Sequence, residues 1–141
     1  MPDAPTLHAN ISMLFKEVEL LERPAAAAAA GFDAIECWWP FDGPDPSEAA
    51  KDEFIAAVED AGVRVAAMNL DAGELAKGHR GLLSDPDQVG RFRKGVDSGV
   101  ALAGRLGCRV LHAMYGNRRL GAKPCEQDAL AIKHPGLLAP W

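Results

Sequence analysis

Apolar positions along the chain alternate between two spacings, and the alternation predicts its elements. Runs with helical spacing end at a glycine and feed at once into a short, continuous apolar segment. In residues 25–42, AAAAAAGFDAIECWWPFD, Gly31 separates an alanine-rich run from the segment Phe32 to Trp39. Gly62 likewise precedes Val63 to Leu70, and Gly107 precedes Cys108 to Met114. Glycine enters the left-handed conformation that closes a helix without a Cβ penalty, so each junction reads as the helix-to-strand half of a βαβ unit. An earlier run, Leu7 to Met13, alternates in the manner of a strand, with the first turn of a helix as the other reading of so short a segment.

Local signals place the helix starts. Pro24 is incompatible with a helix interior, so the first helix is expected to begin near Arg23 with Pro24 at its first position, after a short turn. Asp45-Pro46-Ser47-Glu48 reads as cap, proline and glutamate opening a second helix that runs to Ala61, with Asp45 as the cap. Asp85-Pro86-Asp87-Gln88 opens a third, closed by Gly107. Gly90, Gly95, Gly99 and Gly104 inside that helix each cost up to ~1 kcal/mol relative to alanine, which points to close backbone packing. The order is strand, helix, strand, helix, strand, helix, strand, with crossovers long enough to enforce parallel pairing. An open doubly wound sheet and a β/α barrel both fit. No GxGxxG or GxxxxGK[ST] follows any strand, which removes the usual reason to prefer a nucleotide-binding open sheet. A barrel needs eight units in roughly 250 residues, and four strands are legible here. The fold expected is therefore α/β, built of parallel β/α units: an incomplete barrel with about four strands of eight over residues 1–117. Residues 118–141 read as an irregular tail that does not continue the repeat, with one short helix from Glu126 to Lys133.

Composition narrows the class without changing the fold. The chain has 141 residues, 48% hydrophobic and 25% charged, enough for one globular domain with a core. A net charge of −5 with no cationic run beyond Arg118-Arg119 argues against nucleic acid as a partner. The 3 cysteines, Cys37, Cys108 and Cys125, are odd in number and far apart, which indicates neither a disulfide framework nor a zinc knuckle and suits a reducing cytoplasm. No leader-like or membrane-spanning stretch is read, so no membrane partner is expected.

In β/α folds the reacting groups lie at the C-terminal ends of strands and in the loops that follow. That rule selects Glu36 and Trp38, Asn69 and Asp71, His112, and the loop Asp71 to Gly81, DAGELAKGHRG. Glu36, in an apolar strand, needs a hydrogen-bond partner, a cation or a ligand if buried, and a structural salt bridge satisfies it as well as a ligand does. His112 reads as a core histidine or a pocket residue. The loop, with Lys77, His79 and Arg80 among glycines, can fold over a small anion and pair a carboxylate with a guanidinium, or it can be a solvated turn. No His/Asp/Glu spacing matches a first-row metal site, and no GxSxG is present.

The segments HANISMLFKEV, AAAAAAGFDAIECWWPFD, GELAKGHRGL and ALAGRLGCRVLHAMYGN, in that order over residues 7–117, resemble the N-terminal half of the hydroxypyruvate isomerase family, xylose isomerase-like TIM barrels. The resemblance implies a (β/α)8 fold and interconversion of hydroxypyruvate with tartronate semialdehyde through an enediol; a related branch isomerises 2-oxo-tetronates. On that reading Glu36, Asn69, Arg80 and His112, taken from the strand ends and the loop, are expected to line the substrate pocket, with Arg80 the candidate for the substrate carboxylate. The resemblance assigns no catalytic acid or base and no cofactor to this stretch, and allows a divalent metal in a full-length relative. His79 departs from the glutamate usual in the family's G-E-R-G loop, and Pro24 from a continuous helix. A truncated, inactive isomerase, with a small 2-oxo acid as ligand, is the function expected. A non-catalytic half-barrel that self-associates through its open sheet edges is the alternative, and a metal-dependent nuclease on a related barrel is disfavoured by charge.

Overall fold

The computed structural model describes residues 6–134. Four strands, β1 (Ala9–Asn10), β2 (Ala34–Cys37), β3 (Arg64–Asn69) and β4 (Leu111–His112), form one sheet in the order β1-β2-β3-β4, and every pair is parallel. The helices α1 (Arg23–Ala29), α2 (Glu48–Ala61), α3 (Val89–Leu106) and α4 (Pro124–Lys133) alternate with them. This is the α/β repeat expected, with sequential strands lying side by side as they do in a barrel wall.

The helix boundaries follow from the residues at them. A 3-10 turn, Leu20–Glu22, precedes α1, and Pro24 sits in its first turn, where a missing N–H costs nothing. Gly62 and Gly107 close α2 and α3 in the left-handed conformation, with φ of 68° and 63°. The cap of α2 differs from expectation: Ser47 accepts from the Ala50 N–H at 3.2 Å, while Asp45 accepts a hydrogen bond from Ser98 of α3. Asp85 does cap as expected, accepting from the Asp87 N–H at 3.0 Å and starting a 3-10 turn that runs into α3.

The strands are shorter than their apolar runs. β1 stops at Asn10 rather than Met13 because the Asn10 side chain accepts the Ser12 N–H and its carbonyl accepts from Met13 and Leu14, turning the chain away. Arg23 fixes that turn by donating to the carbonyls of Ile11 and Val18. β2 covers only Ala34–Cys37 of the expected Phe32 to Trp39, and a register shift between Ile35 and Glu36 leaves Ala66 of β3 unpaired.

The sheet buries one face. Ile35, Cys37, Val65 and Met68 pack with Ala27 of α1, Phe54, Ile55 and Val58 of α2, and Leu102 and Ala103 of α3 in the main core. A second cluster, Leu70, Leu82, Phe92 and Val96, lies beneath the loop after β3. The opposite face carries Glu36, Ala67, Asn69 and His112, by strand alternation, and no helix among the described residues covers it.

Residues 118–134 of the expected tail contain α4, which begins two residues earlier than expected and is seated by Gln127. That buried side chain donates to Ser84 and to the Asn117 carbonyl and accepts from the Arg119 N–H. Its last neighbour, His134, stacks on Phe92 with ring centroids 4.8 Å apart. The end of the tail, 135–141, lies outside the described residues.

Candidate active-site cleft

A cleft of about 1020 Å³ opens at the C-terminal ends of β2 and β3. One wall is aromatic and comes from the loop after β2. Trp39 donates its indole N–H to the Gly43 carbonyl at 2.7 Å and meets Phe41 edge to face at 5.1 Å. Phe41 in turn meets Phe54 of the core at 6.1 Å, so this wall is anchored to α2. The floor is the end of β3, where Asn69 donates to the Met114 sulfur at 3.5 Å and keeps its side-chain oxygen free of any partner among the described residues.

The other wall is the loop 72–81, which the sequence left open between an anion-binding loop and a solvated turn. Its side chains are largely exposed, yet its backbone is closed on itself. The Glu74 carbonyl accepts from Lys77 and His79, and the Glu74 N–H donates to His79 Nδ1 at 3.0 Å. That bond requires Nδ1 to be an acceptor and so places the proton of a neutral His79 on Nε2. Gly73 and Gly81 hold φ of 85° and 125°, and a Cβ on Gly81 would collide with the Met114 carbonyl. Gly81 bridges to Tyr115, and Leu83 and Ser84 donate to Met114 and Tyr115, stitching this loop to the end of β4.

Charges at the cleft sort into paired and free. Asp71, its side chain 4% exposed, receives the Arg91 guanidinium from α3 in a two-point contact, Nε at 2.6 Å and Nη2 at 3.1 Å, and also accepts the Gly73 N–H at 3.1 Å. Donating this hydrogen bond to the Asp71 carboxylate raises the pKa of Arg91 above its ordinary value. Glu74 pairs with Lys77 at 2.7 Å, which lowers its pKa, and lies 3.6 Å from Arg91. Arg80 has no carboxylate partner among the described residues. Its Nη1 donates to the carbonyls of Leu75 at 3.1 Å and His79 at 2.6 Å, which leaves the Nε and Nη2 edge unengaged.

Of the residues expected to line a pocket, the structure brings together Asn69 and Arg80. Glu36 and His112 share the helix-free face of the sheet with Asn69 but do not line the cleft. Glu36 is half-buried and His112 exposed, so neither pays the cost of an unpaired buried group and neither is a core residue. Sequence reasoning missed Arg91, Trp39 and Phe41. No local signal marks Arg91, which stands four and eight residues before Gly95 and Gly99 on one stripe of α3. Among the described residues, His, Cys, Asp and Glu side chains nowhere gather in threes.

Parallel strands with a cleft at their C-terminal ends, walled by the loops after β2 and β3, define a protein of the β/α-barrel class. The family model described as xylose isomerase-like TIM barrel matches residues 24–141, and the chain belongs to that family. The match runs past Asn117 through the 118–141 segment. A Streptomyces coelicolor protein bearing the name "Putative hydroxypyruvate isomerase" is 49% identical over 132 residues, 92% of this chain and 47% of that protein. A 2-oxo-tetronate isomerase of Haemophilus influenzae is 34% identical over 92% of this chain and 48% of its own length. The crystal structure of an AP endonuclease of family 2 from Brucella melitensis superposes with a TM-score of 0.78 at 31% identity, over 92% of this chain and 48% of that one. The chain thus spans about half the length of the curated relatives it matches.

Proposed function

We propose that this chain forms the carboxylate-binding side of the active site of an isomerase that interconverts hydroxypyruvate and tartronate semialdehyde, or the corresponding 2-oxo-tetronate pair. The observation that carries this reading is the unengaged Nε–Nη2 edge of Arg80 at the cleft. Such an edge matches a carboxylate with two parallel hydrogen bonds. The names of the relatives agree with a small 2-oxo acid as ligand.

The reaction moves one proton from C3 to C2 and one from the C3 hydroxyl to the C2 oxygen, through an enediol, with no change in composition. It needs a group that takes a proton and a group that gives one. Asp71 and Glu74 are engaged by Arg91 and Lys77, so neither carboxylate stands free at the cleft to take or give a proton. The residues here therefore bind and orient the substrate, Arg80 on its carboxylate and Asn69 within reach of its oxygens, while the aromatic wall excludes water. The 141-residue protein is expected to bind hydroxypyruvate with little or no turnover.

Calorimetry with hydroxypyruvate tests the binding. Arg80→Lys, which replaces a planar fork by a point charge, should weaken affinity about tenfold. Absence of binding to the unmodified protein sinks the reading, and turnover that disappears in Glu36→Gln overturns the division of labour. The nuclease named for the structural neighbour fits less well, because a chain of net charge −5 lacks the cationic surface that phosphate backbones require.

A second reading, self-association, rests on the helix-free face of the sheet, where Val110 is 54% and Trp38 42% exposed. Two such faces can cover one another. Sedimentation at equilibrium decides: a dimer supports it, and a monomer across the accessible concentration range removes it.

A further inference from the structure

We infer that Arg91 is a positioning residue: from the first turns of α3 it sets the loop 72–81, and through that loop the orientation of Arg80, for binding a carboxylate in the cleft. The carboxylate ligand rests on the isomerase reading; the mechanical part stands on the geometry alone.

Three observations connect α3 to Arg80. Along one stripe of α3, Arg91, Gly95 and Gly99 follow one another at intervals of four and press on the end of β3. A Cβ at Gly95 would lie 3.1 Å from Asp71 Cβ, and one at Gly99 would collide with the Leu70 side chain. The glycines therefore let the strand end approach closely enough for Arg91 to reach over it. Arg91 then grips Asp71 at two points, while Asp71 also holds the Gly73 N–H, the first turn of the loop. Finally, Arg91 Nη1 lies 3.6 Å from Glu74, whose backbone organises the loop by bonding to Lys77 and to both the ring and the backbone of His79. The Arg80 guanidinium hangs from the carbonyls of that closed loop, Leu75 and His79.

This assigns different roles to two arginines at one cleft. Arg91 is neutralised by Asp71 and is 21% exposed, so it contributes shape rather than net charge. Arg80 contributes the charge. A loop of mostly exposed residues, with only Gly81 buried at its end, has few apolar contacts to order it, and the Arg91 clasp substitutes for them.

Amide hydrogen exchange and hydroxypyruvate calorimetry on the whole chain test the inference together. Arg91→Met alone leaves Asp71 buried without a partner, so it is paired with Asp71→Asn, which keeps an acceptor for Gly73 and removes the orphaned charge. In the double variant the amides of residues 73–81 should exchange at least about tenfold faster while those of β2 and β3 are unchanged, and hydroxypyruvate affinity should fall about tenfold. Arg91→Lys should restore part of both. Unchanged exchange across 73–81 overturns the inference, as does a loosened loop with undiminished affinity. If the unmodified protein binds no hydroxypyruvate but its loop still loosens in the double variant, the substrate reading falls and the clasp stands.

Discussion

Arg80 and Arg91 carry the same charge and line the same cleft, and only their neighbours separate an unengaged guanidinium edge from a paired one. The same dependence on surroundings governs the cysteines. Burial, with Cys108 and Glu36 nearby, pushes the Cys37 thiol up to about 12. Since the thiolate is the reactive form, Cys37 should be inert in the folded protein, whereas Cys125 is exposed. Titration with a chromogenic disulfide near neutral pH should register one fast thiol natively and three in denaturant; a second fast thiol in the native protein contradicts the placement of Cys37 and Cys108. The linkage has a definite sign. An unfolded cysteine loses its proton near ~8.5, and the folded one retains it to about 12. This thiol therefore contributes stability that is complete below the unfolded value and is lost as pH rises through that window. At the residue scale the sequence pointed to Arg80 and Asn69, which both line the cleft, because a cation in a glycine-rich loop and an amide at a strand end stand out wherever the fold places them. Arg91 was not legible. On the chain it is one of several helix arginines, and its role exists only because Asp71, twenty residues earlier, is brought under it.

Helix α3 shows the same division at the scale of an element. Its internal glycines all suggested close packing, but among the described residues only two of them face a neighbour. Gly95 and Gly99 abut Asp71 and Leu70, whereas nothing lies within 4 Å of a Cβ placed on Gly90 or Gly104. Gly104→Ala should therefore stabilise the protein by about 0.5–1 kcal/mol through helix propensity. Gly99→Ala must displace Leu70, buried with Phe92 and Val96, and should destabilise it by about 1–3 kcal/mol. Urea denaturation of the two variants checks the opposite signs, and a shift in the same direction for both refutes the assignment of faces. Chain order could not supply this distinction, since glycines at a helical interval look alike until the helix has been rotated against its sheet.

Across the whole molecule, α4 ties the end of the described chain to the segment that follows β4. Tyr115 donates its hydroxyl to Asp128, Arg118 pairs with Asp128 at 2.8 Å and lies over the Tyr115 ring at 5.0 Å. The Tyr115 hydroxyl first, and then Arg118, hold the Asp128 carboxyl below its ordinary range. The stability this group contributes is present above the ordinary carboxylate value and lost as pH falls through its lowered folded value. Acid unfolding followed by circular dichroism should accordingly be shallower in Asp128→Asn than in the parent, and identical acid limbs would exclude the contribution. The sequence by itself determined the order of helices and parallel strands, the glycine stops and the glycine-rich loop after the third strand. Each of those is encoded within a few neighbouring residues, in backbone freedom, capping and the spacing of apolar side chains. Tertiary structure alone decided which face of the sheet stays open, which glycines are crowded, and that Arg91 rather than Arg80 is neutralised. Those outcomes depend on residues far apart in the chain meeting at packing distance, where a shift of an ångström separates an ion pair from a free charge.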